Sequence, residues 1–248
     1  MPIASITKLM TAMVLLDCRL PSEEPIAVEE QDVDLLKQSL SHLPVGWVLT
    51  RGELLQLALM SSENRAASAL ARTYPGGTTA FVEAMNAKAR ALGMVDTRFA
   101  DPSGLNPENT STARDLLALV SAATQYDTIR HMTTSPSLTV TSLRSGRSRT
   151  FGNSDYLVTL EHWVIGLSKT GFIRESGYCL VLQAFILDRP VLMVLLDSDG
   201  KHSRMGDAAR VRAWLEEGAR GKGRGGDTPA ARGGSRKGRP ATAESPEG

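Results

Sequence analysis

Cysteine is scarce in this chain, with Cys18 and Cys179 the only two in 248 residues. Two thiols permit one disulfide at most, and the sequence leaves open whether they meet. Their settings read as two semi-buried thiols: Cys18 closes an apolar helix, and Cys179 sits in the alternating stretch Tyr178-Cys179-Leu180-Val181-Leu182. No apolar run approaches the length of a transmembrane helix, so no membrane span is expected. Neither sign of charge dominates, with 28 Lys/Arg against 27 Asp/Glu and a formal net charge of +1. That balance makes no general case for nucleic acid or a membrane surface as a partner. The four histidines, His42, His131, His162 and His202, lack metal-ligand spacing with one another or with the cysteines, and neither a metal nor another cofactor is expected. There is no Gly-x-Ser-x-Gly elbow, which argues against an α/β-hydrolase triad, and no internal repeat.

What is present is enough apolar sequence, 42% hydrophobic against 22% charged, for one sizeable core and a small second lobe of a soluble globular enzyme. The end of the chain is different. From Ala219 to Gly248 there are seven Lys/Arg, three Asp/Glu and no large apolar residue. Such a segment cannot bury enough surface to offset the entropy of ordering, so residues 219–248 are expected to form a disordered basic tail behind a domain of residues 1–218. At the other end, Lys8 followed by Leu9-Met10-Thr11-Ala12-Met13-Val14-Leu15-Leu16 mimics a signal peptide. A single lysine is a weak positive region, however, and Asp17 spoils the cleavage site.

Apolar spacing of Leu9, Met13 and Leu16 predicts a helix over Ser5–Asp17, with Ser5 at its positive end. A short strand is expected at Ile26–Val28. Thr50 and Glu53 form a capping box for a helix through Leu59, and a further helix follows over Arg65–Thr73. Helices are also expected over Thr79–Leu92 and, capped by Ser111, through Val120. Beyond Gln125 the Thr/Val/Arg/Ser alternation reads as extended chain. Strands are expected over Trp163–Lys169, Tyr178–Leu187 and Pro190–Leu196, the last two joined by a turn at Asp188-Arg189, before a closing helix at Ser203–Glu217. Met10, Met13, Met60, Met85 and Met94 are expected in the core. Helices in the middle and strands late predict an α+β fold with antiparallel pairing.

Three short motifs carry the chemistry. Ser5-Ile6-Thr7-Lys8 places a hydroxyl and an amine one helical turn apart on one face, within reach of each other. Ser-x-x-Lys arises by chance roughly once in a chain of this length. Indeed Ser198-Asp199-Gly200-Lys201 also fits, although its Asp-Gly reads as a turn. The discriminating fact is the ordered set with Ser62-Glu63-Asn64 and Lys169-Thr170-Gly171, a coincidence on the order of one in a hundred. A serine hydroxyl needs a base, and a lysine serves only when its amine is neutral near pH 7. Burial and a neighbouring cation both favour that state. The expected roles are Ser5 as nucleophile, Lys8 as general base and Lys169 as the cation that holds a substrate carboxylate with the Thr170 hydroxyl. Ser62 relays a proton to the leaving amine, and Asn64 hydrogen-bonds a substrate amide. Gly171 admits substrate backbone, and the N–H groups of Ser5 and Phe172 meet the oxyanion.

These motifs are the signature of penicillin-binding proteins and class A β-lactamases, with Ser-x-Asn for Ser-Asp-Asn. The blocks Pro2-Ile3-Ala4-Ser5-Ile6-Thr7-Lys8-Leu9-Met10-Thr11-Ala12, Leu59-Met60-Ser61-Ser62-Glu63-Asn64-Arg65-Ala66-Ala67 and Lys169-Thr170-Gly171 carry a closer resemblance. With Met85-Asn86-Ala87-Lys88-Ala89 and Asp101-Pro102-Ser103-Gly104-Leu105, the chain from Pro2 to Leu215 resembles low-molecular-weight penicillin-binding proteins of the D-alanyl-D-alanine carboxypeptidase family, most closely their D-alanyl-D-alanine endopeptidase branch. The resemblance implies a serine β-lactamase/D,D-peptidase-like fold and a penicillin-sensitive periplasmic enzyme acting on peptidoglycan stem peptides, with β-lactams as inhibitors. It also implies a leader and strands ahead of the active serine, so the domain is expected to be N-terminally incomplete, with no export signal of its own. A catalytically silent fragment, or a binding partner of wall-synthesis proteins, is the competing expectation. A β-lactamase is disfavoured, because no glutamate is assigned to activate a deacylating water.

Overall fold

The computed structural model describes the backbone of residues 1–223 and the side chains of residues 1–219. The chain opens with a single 3-10 turn at Ala4–Ile6 that runs directly into α1, Thr7–Asp17. Every side chain of α1 from Thr7 to Leu15 is buried. A helix that is covered all round lies in the centre of a core, and α1 packs among the helices that follow it: α2 (Arg51–Met60), α3 (Asn64–Arg72), α4 (Gly77–Ala91) and α5 (Ala113–Ala123). Between α1 and α2 the chain forms a small antiparallel pair, β1 (Pro25–Ala27) with β2 (Val48–Thr50). The capping box at Thr50 is formed: Glu53 N–H donates to Thr50 Oγ1 at 3.1 Å and Thr50 N–H to Glu53 Oε2 at 2.8 Å. The five methionines expected in the core are all buried.

The segment after Gln125 departs from expectation. Asp127–Thr134 is a helix, α6, where extended chain was predicted. Its composition is polar and Thr-rich, but Ile129 and Thr133, four residues apart, are both buried, and packing of that one face against α2 and the sheet overrides weak propensity. The extended character then appears as an antiparallel hairpin, β3 (Ser137–Thr141) with β4 (Ser148–Gly152). Thr112 rather than Ser111 caps α5, accepting from Asp115 N–H at 3.2 Å, while the Ser111 hydroxyl pairs with Thr97.

The late strands form an antiparallel sheet in the order β5 (Ile165–Ile173), β6 (Gly177–Ile186), β7 (Arg189–Ser198). The β6–β7 turn is Leu187-Asp188, not Asp188-Arg189, and both residues have positive φ, 51° and 57°. That conformation matches the right-handed twist of the flanking strands. Strand β6 is buried on both faces, and successive residues face opposite ways. Cys179 and Val181 join the large core shared with the helices, whereas Leu180, Leu182 and Ala184 join a smaller core with Met205 and Ala208 of α7, Lys201–Gly223. Cys18 and Cys179 are both free thiols. Helix α7 extends past the expected stop at Glu217 into the first residues of the predicted tail, and residues 224–248 lie outside the described residues. Across the groove between helices and sheet, Lys37 forms an ion pair with Glu175 of the β5–β6 turn.

Candidate active site

The start of α1, the α2–α3 corner and the outer edge of β5 meet at one place, and they carry the three motifs. Lys8 Nζ lies 2.8 Å from Ser5 Oγ, 2.7 Å from Asn64 Oδ1 and 2.7 Å from the Ser103 carbonyl oxygen. Asn64 Nδ2 donates to Ser39 Oγ at 3.0 Å, with Oδ1 turned to Lys8. Two of the three partners of Lys8 are therefore acceptors only, and Ser5 alone carries a proton that a neutral amine can accept. Lys8 is completely buried. Burial lowers its pKa to about 7, against the opposing pull of Asp101 and Glu63.

On the facing strand, Lys169 Nζ donates to Ser62 Oγ at 2.9 Å and to its neighbour's carbonyl, Thr170 O, at 3.0 Å. Burial, then the charges of Lys8 and Arg204, hold its pKa well below the ordinary lysine value, while Asp155 pulls the other way. Two buried lysines and an arginine thus share one region, and a carboxylate brought among them favours the charged form of Lys169. Ser62 itself has φ +63°, a left-handed conformation uncommon outside glycine, held at the corner where α2 ends and α3 begins. The Thr170 hydroxyl donates to Ser154 Oγ at 2.7 Å.

Ser168 N–H donates to Thr133 Oγ1 of α6, away from β6. Strand periodicity of two then turns the N–H groups of Thr170 and Phe172 to that same open edge of β5. The Phe172 ring is half exposed and stacks on Tyr178 with centroids 4.2 Å apart. Gly171 was expected to admit substrate backbone, but the close neighbour is the protein itself. A Cβ at residue 171 would lie 3.1 Å from Ile3 O and 3.2 Å from Ser5 N. Glycine here lets the 3-10 turn carrying Ser5 press against β5.

Several residues of the site had no motif to mark them. Ser103 contributes a backbone carbonyl, which no side-chain pattern can reveal. Its loop is wound around the Asp101 carboxylate, which accepts from the N–H groups of Ser103, Gly104 and Asn106 at 2.5 to 2.6 Å. Pro102 O of the same loop accepts from Thr11 Oγ1 of α1 at 2.7 Å. Arg204 reaches from α7 to the carbonyls of Gly171 and Cys179, both at 3.0 Å, and lies over the Tyr178 ring. Asp155, buried behind β5, accepts from Ser168 Oγ at 2.5 Å. Glu63 accepts from Ser41 Oγ at 2.7 Å and His42 N–H at 2.8 Å, so the middle residue of the second motif anchors the loop above the groove. By contrast, Lys201 of the chance copy is exposed at the start of α7.

Residues 1–200 match the D-alanyl-D-alanine carboxypeptidase family of peptidases. The D-alanyl-D-alanine endopeptidases of Pseudomonas aeruginosa and Escherichia coli are 48% and 46% identical over 217 residues, covering 88% of this chain and 70% of each relative. The D-alanyl-D-alanine carboxypeptidase of Streptomyces K15 is 32% identical over 84% of this chain. The crystal structure of the Streptomyces K15 DD-transpeptidase superposes with a TM-score of 0.80 at 28% identity, covering 86% of this chain and 87% of that one. With the motif residues gathered at one groove and the family match spanning the helical part and the sheet, the chain belongs to the D-alanyl-D-alanine carboxypeptidase family of serine peptidases.

Proposed function

We infer that this chain is a serine D,D-peptidase of peptidoglycan, working through an acyl-enzyme on Ser5, with cleavage of D-alanyl-meso-diaminopimelate cross-links ahead of trimming terminal D-alanine. One observation carries the reading: a buried Lys8 whose pKa is lowered to about 7 has a single proton-bearing partner, the Ser5 hydroxyl. Ser5 Oγ attacks the D-alanyl carbonyl carbon as Lys8 takes its proton, and the N–H groups of Ser5 and Phe172 stabilise the oxyanion. The C–N bond then breaks. Ser62, hydrogen-bonded by Lys169, passes its proton to the departing amine as it takes up the one Lys8 removed from Ser5, so that proton leaves with the amine. Lys169 receives the substrate carboxylate, joined by Thr170 when that hydroxyl turns from Ser154. Asn64 orients Lys8 and presents the rest of its amide to the substrate. Water finally cleaves the Ser5 ester and restores the starting protonation.

A β-lactam fits the same sequence, but its amine remains tethered to the adduct after ring opening, so the ester persists. The relatives named endopeptidases, at 46 to 48% identity, support the cross-link as substrate. A substrate in the wall also supports a periplasmic site of action, which fractionation of cells producing the protein tests. The decisive experiment pairs fluorescent penicillin with purified muropeptides. The wild-type chain should be labelled and Ser5→Ala should not, and cross-linked dimers should be converted to monomers faster than pentapeptide releases D-alanine. Release of D-alanine without dimer cleavage would make it a carboxypeptidase, and absence of labelling would overturn the reading.

A further inference from the structure

A second surface lies beside the catalytic groove, on the β3–β4 hairpin. The hairpin's connecting turn and the loop before β2 enclose an open concavity of about 710 Å³, lined by Trp47, Arg144, Ser145, Arg147, Ser148 and Arg149 among others, with no carboxylate in the lining. Among the described residues none of these three arginines lies within ion-pair distance of an acid, whereas the exposed Arg98, Arg130 and Arg210 each have one. Three exposed guanidinium groups within six residues, in a chain whose formal net charge is +1, are a local excess of positive charge that the described residues leave unneutralised. The hairpin strands turn hydroxyls outward on the face opposite Arg149. Thr139 pairs with Thr150 and Thr141 with Ser148, each at 2.8 Å and each exposed. In the two strands only Val140 and Phe151 are buried.

The surface is mechanically continuous with the catalytic groove. Arg149 donates to the His42 carbonyl, His42 N–H donates to Glu63, and Glu63 precedes the Asn64 that holds Lys8. Arg65 also ties α3 to this loop, through the Leu43 carbonyl at 2.8 Å. Guanidinium groups in this density recognise carboxylates or phosphates bidentately, and the Ser145 and Ser148 hydroxyls beside them suit a glycan.

Building on the peptidoglycan reading, we propose that this arginine-lined concavity is a secondary docking site for the polymer, taking the free carboxylates of a stem peptide neighbouring the one cleaved at Ser5. It raises the residence of an insoluble, multivalent substrate without touching the bond that is broken, because a second attachment makes the catalytic encounter intramolecular. Exposed ion pairs of this kind are individually weak and screened by salt, so the effect comes from their number.

The test uses the full chain carrying Ser5→Ala, so that binding is separated from cleavage, with and without R144E and R147E; Arg149 is left intact because it holds His42. Co-sedimentation with purified peptidoglycan should weaken roughly tenfold in the charge-reversed protein. Raising salt to about 0.5 M should weaken the parent to the same level while changing the charge-reversed protein little. In an otherwise wild-type chain, R144E and R147E should leave the rate of labelling by fluorescent penicillin unchanged, which shows an intact fold and site. Equal sedimentation of parent and charge-reversed proteins overturns the proposal. So does undiminished binding to glycan strands stripped of their peptides, or a preference for DNA or anionic vesicles over peptidoglycan. Arginine-dependent sedimentation in a protein that penicillin does not label would instead uphold the surface and refute the catalytic reading.

Discussion

A lysine ammonium enclosed by protein loses its hydration, and Lys8 tolerates this because its pKa falls and because all three of its hydrogen-bonding directions are filled. The consequence for catalysis is a pH limb. Lys8 accepts the Ser5 proton only when neutral, so the rate of penicillin acylation should be near its plateau by about pH 8 and fall about tenfold for each unit below 7. Stopped-flow labelling between pH 5.5 and 8.5 measures it, and a flat profile would remove Lys8 as base. Replacing Asn64 by aspartate puts a carboxylate against the ammonium, favours its charged form and should move that limb upward by about one unit or more. A purely structural defect would lower the rate without moving the limb. At this scale the sequence was legible wherever chemistry resides in side chains at fixed spacing: Ser5, Lys8, Ser62, Asn64 and Lys169 converge as their motifs predicted. Ser103 acts through a carbonyl, and Arg204 acts from a helix with no motif.

At the scale of elements, the site depends on two glycines that let chain segments touch. Gly104 has φ +85°, and a Cβ there would sit 1.9 Å from the Ala4 carbonyl oxygen. That clash is with backbone and cannot be relieved by a rotamer. Gly104→Ala should therefore cost about 2 kcal/mol or more by chemical denaturation and slow acylation by displacing the turn that carries Ser5, which has its own left-handed residue in Ala4, φ 47°. Gly171→Ala meets looser contacts of 3.1 to 3.2 Å and should be the milder of the two. The elements expected from periodicity and capping, α1 through α5 and β5 through β7, all formed, with ends shifted by a few residues. Helix α6 was not legible, because its local signal is Thr-rich and its helicity comes from burying Ile129 and Thr133 against other elements. The β6–β7 turn was misplaced by one residue because Leu187 and Asp188 adopt positive φ under the demand of strand twist, not from local preference.

Across the whole molecule, burying Lys8 and Lys169 costs stability. Lys8 titrates near 7 when folded and near 10.5 when its chain is unfolded, so between those values the unfolded state binds more protons and stability rises with pH. Lys169, also lowered, acts in the same direction. Relative to Lys8→Met, the wild-type chain should gain stability on going from pH 7 to pH 9, by at most about 1.4 kcal/mol per unit from this group. Urea melts at the two pH values compare the slopes, and parallel slopes would mean that Lys8 is not titrating as the burial requires. The sequence by itself determined the candidate reactive groups and the class of fold, since both are written in local spacing: one helical turn between Ser5 and Lys8, capping at Thr50, alternation in the late strands. Only the tertiary structure decided which groups meet. It brought positions 5, 62 and 169 to one groove, supplied the Ser103 carbonyl and gathered the hairpin arginines beside it, because contacts between residues far apart in the chain are set by packing of the shared core and by no local rule.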